Sequence, residues 1–214
     1  MQTVKFTKRE KTFSDVTLVG ILAYGSLIQD PGVEIEPAIV RRIATVTPFP
    51  VEYARLSGSR GGGPTVVPHA VGQPVRAEVL VLNKSVSLAE ATDMLWRREV
   101  RQEGSRKRYR RGTSPNSVLV EDWPGYEAVS NVLYTDFLSD GKVTNPTAAT
   151  LARAAVSSVA KADAGKDGIS YLMQLKASGV ETRLTAEYCA EILRLTGARN
   201  LDEALVAARR SGET

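Results

Sequence analysis

Seven residues, Leu18-Val19-Gly20-Ile21-Leu22-Ala23-Tyr24, run without a charge and stop at Gly25-Ser26-Leu27. Branched and aromatic side chains separated only by Gly and Ala suit a strand buried on both faces, because no polar residue recurs at helical spacing. Gly25 then lets the chain turn and come close to another group. Successive amide N–H groups in such a turn can hold a carboxylate or a developing oxyanion, with the Ser26 hydroxyl as a further donor. An ordinary turn after a strand uses the same residues, so the tripeptide alone assigns no function.

A second feature is a helix that ends on an acid. Ser87-Leu88-Ala89-Glu90 reads as a capping box, with the serine at the N-cap and the glutamate reaching back to its amide. Leu88, Ala91, Met94 and Leu95 then share a helical face, and the periodicity gives way to charge at Arg97-Arg98-Glu99. A carboxylate half buried by the helix it terminates is expected to have its pKa raised toward the range useful for moving protons. The plainer reading of Glu99 is a surface ion pair with Arg98 or Arg101, a common and energetically minor contact. Glu103 is a rival acid.

Composition narrows the chemistry. The chain has 214 residues, enough for one domain with a sizeable core, and the expectation is a single domain over 1–214. The sole cysteine, Cys189, lies in an expected helix among Tyr188, Ile192, Leu193 and Leu195 and reads as a small core residue. One histidine, His69, in a Pro-flanked loop completes too small a set for a zinc site or a Cys-His pair, so no metal is expected. Residues 1–16 are polar and basic without the apolar core of a signal peptide, and no stretch approaches membrane-spanning length. A cytoplasmic protein with a mobile N-terminal arm and no membrane partner is expected.

The net charge is +4, yet window 97–111 alone holds eight basic residues against Glu99 and Glu103. Basicity is therefore local. It reads as a lip that draws in an anionic substrate, as a polyanion patch through 106–111, as a subunit contact or as a solvated loop. Only Trp96 and Tyr109 supply aromatic interleaving, which disfavours nucleic acid. A homodimer is left open.

Strand signals at 18–24, 39–46, 51–56, 75–82, 118–120 and 128–138 surround the one helix at 88, with Trp123-Pro124-Gly125-Tyr126 as a turn between the last two strands. After Asn145-Pro146 the pattern turns helical: an alanine-rich helix to 162, one capped by Asp167 and ended by Gly179, one over 185–196 ended by Gly197, and a short one opened by Asn200. The expected fold is α+β, a small mixed, mostly antiparallel β-barrel (17–140) with an inserted helix and a C-terminal helical annex (145–210) whose role is stability or dimerisation.

Ala23-Tyr24-Gly25-Ser26-Leu27, Tyr53-Ala54-Arg55-Leu56-Ser57-Gly58-Ser59-Arg60-Gly61-Gly62-Gly63 followed by Pro68, the stretch 74–82, Arg98-Glu99 at a helix end, and Asp167-Gly168-Ile169-Ser170-Tyr171-Leu172 with Gly179 beyond stand in one order. In that order and spacing they resemble the γ-glutamylcyclotransferase superfamily (AIG2-like and ChaC-like), above all its ChaC-like branch. The resemblance implies a barrel fold and cleavage of a γ-glutamyl amide by its own α-amine, releasing 5-oxoproline and an amine without cofactor or metal. It implies substrate binding by Tyr24, Gly25, Ser26, Leu27 and Arg60. Glu99 would take the ammonium proton and pass it to the leaving amine, and its Arg-Glu context favours it over Glu103. Relatives acting on glutathione follow the acid with a glycine-rich, aromatic stretch, whereas here Val100-Arg101-Gln102-Glu103-Gly104 follows. The leaving group, a peptide such as Cys-Gly, an amino acid or an amine, therefore stays open. A non-catalytic metabolite-binding or regulatory module on the same fold is the alternative.

Overall fold

A computed structural model describes residues 18–212, and the arm expected at 1–16 lies outside them. Five strands form one sheet in the order β2 (Ile39–Val46), β5 (Arg76–Leu82), β1 (Val19–Ala23), β7 (Val129–Asp136), β6 (Leu119–Tyr126). Only the β1–β7 pairing is parallel. β3 (Val51–Ser57) and β4 (Gly63–Pro68) form a separate antiparallel hairpin. Five α-helices complete the described chain: α1 (Leu88–Glu99), α2 (Ala148–Ser158), α3 (Gly168–Ala177), α4 (Thr185–Thr196) and α5 (Leu201–Gly212).

The central strand is buried at every position, and its alternation sorts the fold into layers. Ile21 and Ala23 join Leu80, Leu82 and Leu133 on one face, under Ala91, Met94 and Leu95 of α1. Leu22, Val79, Val81 and Val132 face the other way, into a larger core built with Tyr53 and Val66 of the hairpin, Leu151, Leu172, Tyr188 and Ala204. The helices after 145 thus fill the main core together with the sheet.

The ladder does not close into the expected barrel. Pro48 and Pro50 carry no amide hydrogen, so pairing between β2 and β5 ends just past Val46. Thr47 finishes it, its amide donating to the Val75 carbonyl at 2.8 Å and its hydroxyl accepting from the Val75 amide at 3.1 Å. β3 then leaves the sheet to pair with β4, and Val51 at its start makes an isolated bridge to Gln73 in the segment ahead of β5. The sheet still curls: Tyr126, on edge strand β6, donates its hydroxyl to the Val46 carbonyl on the opposite edge, β2.

Three local expectations shift. Residues 123–126 belong to β6 rather than to a turn, because an edge strand tolerates Pro124, and the turn is Glu127-Ala128, both at positive φ (52° and 58°). The hairpin strand β4 lies where only a Gly-rich loop was expected. The alanine-rich helix α2, capped by Thr147 through a capping box with Thr150, ends at Ser158 rather than at 162. At α1 Ser87 accepts the Glu90 amide at 3.2 Å, the serine half of the expected box. Asp167 caps α3 and Gly197 ends α4 in the left-handed conformation, both as expected.

Candidate active site

The end of β1, the β3–β4 hairpin, the end of α1 and helix α3 surround a cleft of about 740 Å³. Tyr24, Gly25, Ser26, Arg60 and Glu99 all line it. Leu27 does not: its side chain is buried in the core beneath α1, so only its backbone can serve the cleft.

Tyr24 is fixed where β1 ends, its hydroxyl donating to the Thr135 carbonyl at 2.9 Å and its ring set edge-on to Phe49. After it the chain enters a short 3-10 turn at Ser26–Ile28, closed by the Ile28 amide on the Gly25 carbonyl. Gly25 packs against helix α3: a Cβ there would stand 3.1 Å from the Tyr171 hydroxyl. Tyr171 is fully buried, and burial pushes its phenol up to about 12 against the opposing pull of Arg60. Tyr24 is likewise raised, by burial first and then by Asp136 and Glu99. Both phenols therefore stay protonated at neutral pH and can donate hydrogen bonds.

Arg98 joins the loop to the helix end. Its guanidinium meets Glu99 at 2.7 Å, donates to the Ser26 hydroxyl at 3.1 Å and to the Asp30 carbonyl at 2.6 Å. Its side chain is only 11% exposed and that of Glu99 21%, so the pair is more than a solvated surface contact. Both expectations for Glu99, partial burial and an ion pair with Arg98, describe the same carboxylate. Because Ser26 accepts from Arg98, its own proton remains available to a ligand. The rival acid, Glu103, also lines the cleft, and its Oε1 is buried without a hydrogen bond from any described residue.

The cleft residues that sequence reasoning assigned no part in binding a ligand are Arg55, Arg98, expected only as an ion-pair partner of Glu99, and Tyr171. Arg55 lies 3.9 Å over the Phe137 ring, with its Nε buried and without a described partner. Burial lowers its pKa and nearby Glu99 opposes that shift. Arg60 stacks 4.3 Å over Tyr171, its pKa lowered by burial first and further by Arg101 and Arg98. A charge interrupting the apolar run of β3 was the available signal for Arg55. Tyr171 was marked only as a member of the 167–172 segment, because its helix reads as ordinary core.

The basic window divides by partner. Arg97 holds Glu34 through three hydrogen bonds, and the loop after α1 is pinned to this pair by the Gly104 amide donating to Glu34 and by Arg97 donating to the Lys107 carbonyl at 2.9 Å, while Arg111 pairs with Glu121 at 2.7 Å. The Arg97 hydrogen bonds hold the Glu34 carboxyl below its ordinary range. Cys189 is free and packs against the main core, and no group of three His, Cys, Asp or Glu among the described residues could hold a metal. No described helix is long and apolar enough to cross a membrane. No protein-family model and no curated protein matches the chain.

Proposed function

We propose that the protein cleaves a γ-glutamyl amide by intramolecular cyclisation, on a fold of the γ-glutamylcyclotransferase kind. The observation that carries this reading is the Arg98 guanidinium, which binds the Ser26 hydroxyl and the Glu99 carboxylate at once in the wall of one cleft. Two motifs far apart in sequence thereby serve one ligand volume.

In this mechanism the 24–27 loop binds the γ-glutamyl group, and Ser26 donates to the γ-carbonyl oxygen as charge develops on it. Arg55 takes the α-carboxylate. The α-carboxylate and α-ammonium share a carbon, so their cation and base must be neighbours, as Arg55 and Glu99 are. Glu99 removes a proton from the ammonium. The freed amine attacks the γ-carbonyl and a C–N bond forms. Glu99 returns its proton to the departing nitrogen as the original amide C–N bond breaks, then takes the second proton that the ring nitrogen sheds on becoming an amide and passes it to the product amine, which leaves as an ammonium. Holding amine over carbonyl makes ring closure chiefly a matter of orientation.

Incubation with a panel of γ-glutamyl amides is expected to release 5-oxoproline. Glu99→Gln, which keeps shape and removes the base, is expected to cost about 100-fold or more in kcat with folding intact. Full activity in that variant would remove Glu99 from the mechanism. The second reading, a metabolite-binding module without turnover, is favoured by the ion pair that engages Glu99, and tight binding without product would establish it.

A further inference from the structure

Helix α1 ends in an unusual way, at the edge of the cleft. Val100 is its C-cap, the Arg101 amide donates to the Arg98 carbonyl at 3.2 Å and the Gln102 amide to the Arg97 carbonyl at 2.8 Å. This paired closure requires a left-handed residue at the position after the cap, where glycine is the usual occupant. Here that residue is Arg101, at φ 56°. A side chain kept where glycine would relieve the backbone points to a use for the side chain.

Arg101 lines the cleft together with Arg60, close enough that the two guanidiniums repel. Neither makes a hydrogen bond or ion pair through its side chain with another described residue, although Asp163 feels Arg101. Arg98, by contrast, is committed to Glu99, Ser26 and Asp30. Around the cleft as a whole, Arg55, Arg60, Arg98, Arg101 and Lys166 outnumber Asp30, Glu99 and Glu103. Asp167 attracts Arg60 and Asp163 attracts Arg101, but neither carboxylate forms an ion pair with them among the described residues, so two like charges face the cavity in an arrangement relieved by a bound anion.

We propose that Arg60 and Arg101 form an anion subsite that reads a carboxylate on the leaving portion of the substrate, with Arg101 as the specificity-determining residue. This assignment rests on the cyclisation reading, in which Arg55 serves the α-carboxylate and Glu99 the amine. The substrate class is then a γ-glutamyl amino acid or peptide with a free carboxylate beyond the scissile bond, and neutral γ-glutamyl amines are poor substrates.

The test compares γ-glutamyl-alanine with γ-glutamyl-alaninamide, which differ in one carboxylate, using the full chain, Arg101→Gly and Arg110→Gly. Arg110 is exposed, belongs to the same basic run and lies outside the cleft. The wild type is expected to prefer the acid by about tenfold or more in kcat/KM, mainly through KM, the worth of a charge-assisted hydrogen bond. Arg101→Gly is expected to reduce that ratio below about threefold with an unchanged or higher melting temperature, since glycine suits the backbone. Arg110→Gly is expected to keep the ratio.

Equal turnover of both dipeptides by the wild type would uphold cyclisation and overturn the subsite. An acid preference that survives Arg101→Gly, or falls equally in Arg110→Gly, would also overturn it. If neither dipeptide is turned over, calorimetry on the same pair decides. Selective binding of the acid, lost in Arg101→Gly, would uphold the subsite and sink cyclisation, and absence of selective binding would overturn both.

Discussion

Individual residues here do more than their local sequence announces. Glu99 was legible as a helix-ending acid, and the Tyr-Gly-Ser loop as a ligand-facing turn, because both sit where regular periodicity breaks. Arg55 and Tyr171 were not legible as site residues. Their positions in the cleft depend on the β3–β4 hairpin and α3 packing against the end of β1, which no local pattern records. Tyr171 supports a prediction at this scale. The folded protein holds its phenol proton up to a pH of about 12, whereas the unfolded chain releases it near 10. Stability is therefore unaffected by this group below pH 10 and falls as pH rises from 10 to 12, by on the order of 3 kcal/mol. Urea unfolding across that interval is expected to show the loss, and Tyr171→Phe to show a smaller one. An unaltered slope in the variant would contradict the assignment.

At the scale of elements, helix ends were easier to read than strand ends. Ser87, Asp167 and Gly197 act through single side chains or single dihedrals, so their signals are local. The limits of β4 and β6 depend on which neighbours exist: Pro64 and Pro124 argue against a strand until one edge is known to face away from the sheet. Gly63, the first residue of β4, is packed tightly against α3. A Cβ on Gly63 would lie 2.6 Å from the Gly168 amide nitrogen, and that atom belongs to the capped first turn of α3 and cannot yield. Gly63→Ala is expected to destabilise the fold by about 1–3 kcal/mol, seen as a lower denaturation midpoint. A midpoint equal to that of the wild type would show that the hairpin and α3 are not locked together.

Across the whole molecule, the mixed α+β class and the mostly antiparallel pairing were legible from the alternation of strand and helix signals. Closure was not, because it depends on where Pro48 and Pro50 break one ladder and send β3 elsewhere. Nor did composition disclose that the helices after residue 145 share the core with β1 and β5 rather than decorating it. Removing residues 145–214 would strip Leu22, Val79 and Val81 of Leu151, Leu172, Tyr188 and Ile192. The truncated chain is expected to lose cooperative unfolding, and a cooperative transition in it would show the helices to be an appendage.

Cyclisation differs from hydrolysis in the source of the new bond, and water labelled with 18O distinguishes them. Mass spectrometry of products from γ-glutamyl-alanine in labelled water is expected to show unlabelled 5-oxoproline and free alanine in equal amounts, both formed about 100-fold or more slowly by Glu99→Gln. Labelled glutamate in place of 5-oxoproline, or no product from the wild type, would contradict the proposed chemistry.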